Sequence, residues 1–152
     1  MKLAAALNER ADTQRRIEEL KKRLMNNAKT QEGTEPAEEP RALLKELDKA
    51  ISSLEKLTRD INLTNTRVLA DGLSLTALLA RRDALKIKVE YLREFLNRAS
   101  EKVDRFTRSE IVIISTVDVK ETQKQADRLS KELRKLDEKI QEINWTNELE
   151  EN

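Results

Sequence analysis

The chain has 152 residues, of which 39% are charged and only 3% aromatic, with two Gly and two Pro. Ala, Leu, Glu, Lys and Arg supply more than half of it, the composition of long helices and coiled coils, and the scarcity of turn residues excludes an all-β domain. Thirty basic residues face twenty-nine acidic ones, so no global field draws the protein to nucleic acid or to an anionic membrane. Without Cys or His there are no disulfides, no zinc site of the usual kind, no Cys nucleophile and no His acid–base catalyst.

The first segment begins with Lys2 and the short apolar run Leu3 to Leu7, which stops at Asn8-Glu9-Arg10. A secretory core needs about 7–15 apolar residues, so this run reads as the start of a helix and not as a signal. That helix is expected over about 2–28, with Leu3, Leu7, Ala11, Gln14, Ile17, Leu20, Leu24 and Ala28 on one side. Residues 29–39, with Gly33 and Pro36 among polar neighbours, form a linker, and Pro40 suits the first turn of the next helix.

The second helix, about 40–65, aligns Leu44, Leu47, Ile51, Leu54, Thr58, Ile61 and Asn65 at alternating spacings of three and four. Asp71-Gly72 is the next break, and Ser74 a candidate N-cap. The third helix, about 75–104, aligns Leu75, Leu78, Arg82, Leu85, Val89, Leu92, Leu96, Ala99 and Val103. Residues 109–117 read SEIVIISTV, a β-branched run expected to form a short strand. Such a strand needs a partner, drawn from 27–32, from 66–70 or from another subunit. Asp118 and Glu121 make an Asp version of the capping box for a fourth helix, about 118–146, whose seam runs Val119, Thr122, Ala126, Leu129, Leu133, Leu136, Ile140, Ile143.

The expected fold is therefore mainly α: one domain over 1–152, a long-helix antiparallel bundle of four coiled-coil-like helices with a short β-strand or ribbon near 109–117. Stripes this long and regular also suit association with a second copy, so a homo-oligomer is expected. No segment approaches the roughly 20 apolar residues of a membrane span, the default compartment is cytoplasmic, and no cofactor is expected. Trp145 is expected to cap the bundle core.

The polar residues offer one weak constellation. Arg82 interrupts the apolar seam of the third helix beside Asp83, which favours an ion pair or a side chain reaching solvent over an anion site. Asn26, Asn27, Gln31 and Glu32 end the first helix, and Asn62, Thr64 and Asn65 the second; the plain reading is helix termination. The sharper reading gathers Asn27, Gln31, Glu32, Arg82, Asp83, Arg105, Arg108, Ser109 and Glu110 into one polar site, binding a small ligand of unknown identity. Arg105 and Arg108 lie among Glu101, Asp104 and Glu110 and have almost no aromatic neighbours, so a nucleic-acid surface is not expected. Ser109 has no His or readable Lys partner, and no catalytic triad is expected.

The stretches LNERADTQRRIEEL (7–20), NNAKTQEG (26–33), INLTNT (61–66), ARRDALK (80–86), RFTRSEIVIISTVDV (105–119) and QKQADRLSKELRKLDEKIQEINWTNEL (123–149) resemble a family of small bacterial proteins of unknown function labelled septicolysin-like. The family favours Tyr-Ser where this chain carries Phe106-Thr107, so a phenol hydroxyl is missing here. The resemblance implies no reaction, cofactor or catalytic residue. Its label implies a membrane-active cytolysin, an alternative to a self-assembling structural or interaction protein; a ligand binder or enzyme using the Arg/Asn/Glu cluster is the other alternative.

Overall fold

Narrow apolar stripes on long helices are satisfied when each helix lies against another, and the computed structural model, which describes residues 1–101 and 112–151, pairs them in that way. Its elements are α1 (Leu3–Asn26), α2 (Pro40–Arg67), β1 (Leu69–Ala70), β2 (Leu73–Ser74), α3 (Leu75–Ser100) and α4 (Val119–Thr146). The chain divides into two units, Met1–Ser74 with Gln141–Asn152, and Leu75–Ile140.

In the first unit α1 and α2 form an antiparallel hairpin. Leu20, Leu43 and Ala50 are buried together, with Ile17, Leu24 and Leu47 packed against them. The buried row of α2 is Leu43, Ala50, Leu57, Ile61 and Thr64, one residue out of step with the expected Leu44, Ile51, Thr58 and Asn65. Leu47, Leu54 and Ile61 belong to both rows, so spacing alone does not say which flank is buried. Leu44 and Ile51 are left on the surface, 46% and 47% exposed. On α1, Gln14 is exposed and Thr13 takes the inward place.

The ends of this unit are locked by polar groups. α1 has no side-chain cap at its N-terminus, and the Leu3 N–H donates instead to the Asn147 carbonyl at 3.0 Å. Lys2 and Glu148 form an antiparallel bridge, and the Leu149 N–H donates to the Met1 carbonyl at 2.7 Å. The Lys2 ammonium donates to the Thr146 carbonyl at the end of α4 (3.0 Å) and pairs with Glu148 (2.7 Å). The fully buried Thr64 hydroxyl accepts from the Glu150 N–H (2.9 Å) and donates to the Asp60 carbonyl (2.8 Å), tying the C-terminal segment to α2. Arg67 pairs with Glu150 beside it. The buried Asp60 carboxylate is met by Arg59 Nε at 3.1 Å.

Asp71 and Gly72 both have positive φ, 51° and 78°, the backbone of the tight two-residue turn that Asp-Gly favours. They connect β1 to β2, with Leu69 opposite Ser74 and Ala70 opposite Leu73. The small ribbon therefore sits at the second break. Of the strand expected near 109–117, residues 112–117 carry no strand, and 109–111 lie outside the described residues. β-branched composition favours extended backbone only where a partner row exists to bond it. In the second unit Leu92, Leu96 and Ala126 are buried together against Val119 and Leu129. Arg93 donates to the Ser130 hydroxyl and Arg81 pairs with Glu132 at 2.6 Å. The Asp118 carboxylate caps α4 by accepting from the Glu121 N–H at 3.0 Å, as the capping-box spacing predicts.

Thr64→Val removes the acceptor for the Glu150 N–H and is expected to cost about 1–3 kcal/mol, with Thr64→Ser recovering most of it. Leu20→Ala is expected to cost about 2–5 kcal/mol. Urea denaturation followed by circular dichroism measures both.

Candidate functional site

Asn27 ends α1 and organises the connection that follows. Its side-chain amide donates to the Arg23 carbonyl (2.9 Å), and its carbonyl oxygen accepts from the Glu38 N–H (3.0 Å). Arg23 closes the same loop with a two-pronged pair to the Glu38 carboxylate, Nε donating at 3.0 Å. Gln31 and Glu32 are exposed at the tip, where the Gln31 carbonyl accepts from the backbone and hydroxyl of Thr34 (3.0 and 2.7 Å) and Gly33 turns with φ 80°. Glu39 then caps α2 by accepting from the Arg41 N–H, with Pro40 in the first turn. Asn27 thus folds the loop, as a helix-ending residue does.

Asn27, Gln31 and Glu32 belong to the first unit, Arg82 and Asp83 to the second. On α3 the Arg82 guanidinium donates to the adjacent Asp83 carboxylate from Nε (3.0 Å) and a terminal nitrogen (2.7 Å), the local ion pair that a charged seam residue calls for. Arg105, Arg108, Ser109 and Glu110 lie outside the described residues. Trp145, read from sequence as a cap over the core, is 61% exposed; its neighbour Asn144 is the buried residue.

The first unit has an open cavity of about 470 Å³ between α1 and α2 that the sequence did not single out. Thr13, Arg16 and Asp12 of α1 and Glu46, Lys49 and Ala50 of α2 line it. Short Thr13 and Ala50 occupy the seam at this level, where the expected rows placed Gln14 and Ile51, and leave open space between the helices. Arg16 reaches across its rim to Glu46 at 3.6 Å. Its mixed charges match no single-sign ligand. Among the described residues no group of three or more acidic side chains is placed to hold a metal ion, and no helix is long and apolar enough to cross a membrane.

Hydrogen bonding to Arg23 holds the Glu38 carboxyl below the ordinary carboxylate range, against the opposing effect of its partial burial. The pair's contribution is therefore complete above the unfolded carboxylate value, about pH 4–5, and lost as pH falls through the lower folded value. Glu38→Gln is expected to lower the urea midpoint at neutral pH, and the difference from the parent protein is expected to shrink in strong acid.

No curated protein matches the chain. A crystal structure described as a functionally unknown conserved protein from Corynebacterium diphtheriae is 40% identical, with a TM-score of 0.91 over 99% of both chains. A family of unknown function, DUF6847, matches residues 10–149. Neither finding has a septicolysin link, and the expected septicolysin-like membership is corrected accordingly. Within the stretches that carried that resemblance, Asn27, Thr64 and Asp118 stand at or near helix ends, where their side chains serve this fold. Over nearly its whole length the chain belongs to DUF6847, a family of unknown function.

Proposed function

We propose that the protein is a self-assembling structural or interaction protein that works through the faces of its helices and not by catalysis. One observation carries the reading: on α3, Ile87, Tyr91 and Phe95 are 64%, 53% and 42% exposed, an apolar stripe at helical spacing outside the core. Two of the four aromatic residues in the chain stand on it. Val112, Ile113 and Ile114 add a second exposed apolar run, and Leu44 with Ile51 a third. Aromatic side chains at the surface of a chain otherwise so poor in them fit a contact surface, where they supply large area at low entropy cost. The near-balance of charge fits a protein partner better than nucleic acid, and a chain without cysteine fits a cytoplasmic setting.

A second reading, a small-ligand binder, draws on the α1–α2 cavity and its mixed charged rim. Native mass spectrometry of protein purified from cells separates the two. The self-assembly reading expects a single species at a multiple of 17.6 kDa. A monomer with a reproducible added mass would favour the ligand reading, and a bare monomer at every concentration would overturn self-assembly.

A further inference from the structure

Ile87, Tyr91 and Phe95 are four residues apart and so form one ridge of the kind that interlocks with another helix in the commonest class of helix crossing. Lys88 and Glu94 stand three residues before and after Tyr91. At 3.6 residues per turn and 1.5 Å per residue they fall about 60° to either side of Tyr91, on opposite flanks of the ridge and about 4.5 Å before and after it along the axis, a stagger that the tilt of a crossed pair offsets. Both are exposed, and neither takes part in an ion pair among the described residues. Ala84 is exposed at the N-terminal end of the same face and is small enough to let a second helix approach.

This pattern is self-complementary in one orientation alone. When a second copy is laid ridge on ridge in the same direction, the two-fold axis runs along the ridge and exchanges its flanks. Lys88 then meets Glu94 of the partner subunit, and Glu94 meets Lys88 of the partner subunit, at a helix crossing of about 50°. When the second copy is turned end for end, Lys88 faces Lys88 and Glu94 faces Glu94. Opposite charges on both flanks of an apolar ridge fix orientation and exclude the reversed pairing. The mixed signs also set this face apart from the basic flanks of a membrane-surface helix.

We propose that the α3 ridge Ile87–Tyr91–Phe95 is the docking surface for a second copy of this chain, in a two-fold dimer fixed by two reciprocal Lys88–Glu94 pairs. The proposal rests on the self-assembly reading above and names its surface. Crossed helices touch over a short length, so the contact by itself lies at the small end of interface sizes and dimerisation is concentration-dependent.

The test is sedimentation equilibrium of the full chain from micromolar to millimolar concentration, with helix content and melting as controls for folding. Lys88→Glu sets Glu against Glu94, and Glu94→Lys sets Lys against Lys88; each is expected to raise the dimer dissociation constant about tenfold or more. The double variant K88E/E94K restores opposite pairs and is expected to return to within about threefold of the parent protein. An equimolar mixture of the two single variants is expected to dimerise more tightly than either alone, because opposite charges meet on both flanks of the mixed dimer. If the parent protein dimerises and the single variants match it, the α3 surface is overturned while self-assembly stands. If Lys88→Glu binds the parent protein more tightly than the parent binds itself, the pairing is end for end and the proposed orientation is overturned. A parent protein monomeric throughout overturns both the surface and the self-assembly reading.

Discussion

The constraint on which the rest depends is the narrowness of each helix's apolar stripe. With 39% of the residues charged and 3% aromatic, no helix is apolar enough to be buried all round, and each buries a narrow row against a neighbour. The antiparallel pairing of α1 with α2, and the burial of Leu92, Leu96 and Ala126 in the second unit, follow from it. Aliphatic side chains at alternating spacings of three and four pack without aromatic bulk, so the interiors are built of Leu, Ile, Val and Ala. Where the row contains short residues, as at Thr13 and Ala50, a cavity is left between the helices.

Thin cores leave the ends of the helices to be secured by other means. Helix termini have orphan amide and carbonyl groups, and several of them are answered by a named polar side chain or by a second segment. Asn27 joins the end of α1 to the start of α2, Glu39 and Asp118 cap their helices, and Thr64 holds the C-terminal segment through a hydroxyl that both donates and accepts. Residues 1–3 and 147–149 lie side by side, so the beginning and end of the chain complete the first unit together. These polar residues sit at joints, where a single hydrogen-bonding geometry is required, while the apolar rows tolerate exchange among aliphatic residues of similar volume.

The apolar residues left over are grouped. Ile87, Tyr91 and Phe95 share a ridge of α3, Val112 to Ile114 are consecutive, and Leu44 with Ile51 flank the buried row of α2. A helix that buries one face and keeps an ordered apolar ridge on another has two faces to place, one inside its own unit and one outside. Isolated exposed leucines are ordinary on protein surfaces, whereas aligned aromatics flanked by opposite charges specify an orientation.

The mainly helical class, the four helices, the break at Asp71-Gly72, the Asp118 cap and the inward face of α3 were legible in the sequence, because each depends on local periodicity or on backbone chemistry within a few residues. The inward face of α2 was not: Leu47, Leu54 and Ile61 fit two adjacent rows equally, and only the approach of α1 chose Leu43, Ala50 and Leu57 over Leu44 and Ile51. The place of the small ribbon was hidden for the same reason: residues 112–117 of the β-branched run carry no strand, while strand formation at Leu69–Ala70 and Leu73–Ser74 required a turn that brings two short rows together. Among the candidate site residues, Asn27 could be read as ending a helix, but its bond to the Glu38 amide joins positions eleven apart that only the folded loop brings into reach. Sequence by itself determined which segments coil and where they stop, since those are short-range properties; tertiary structure decided which stripe is buried, which polar groups meet and which ridge stays exposed, since those depend on neighbours distant along the chain.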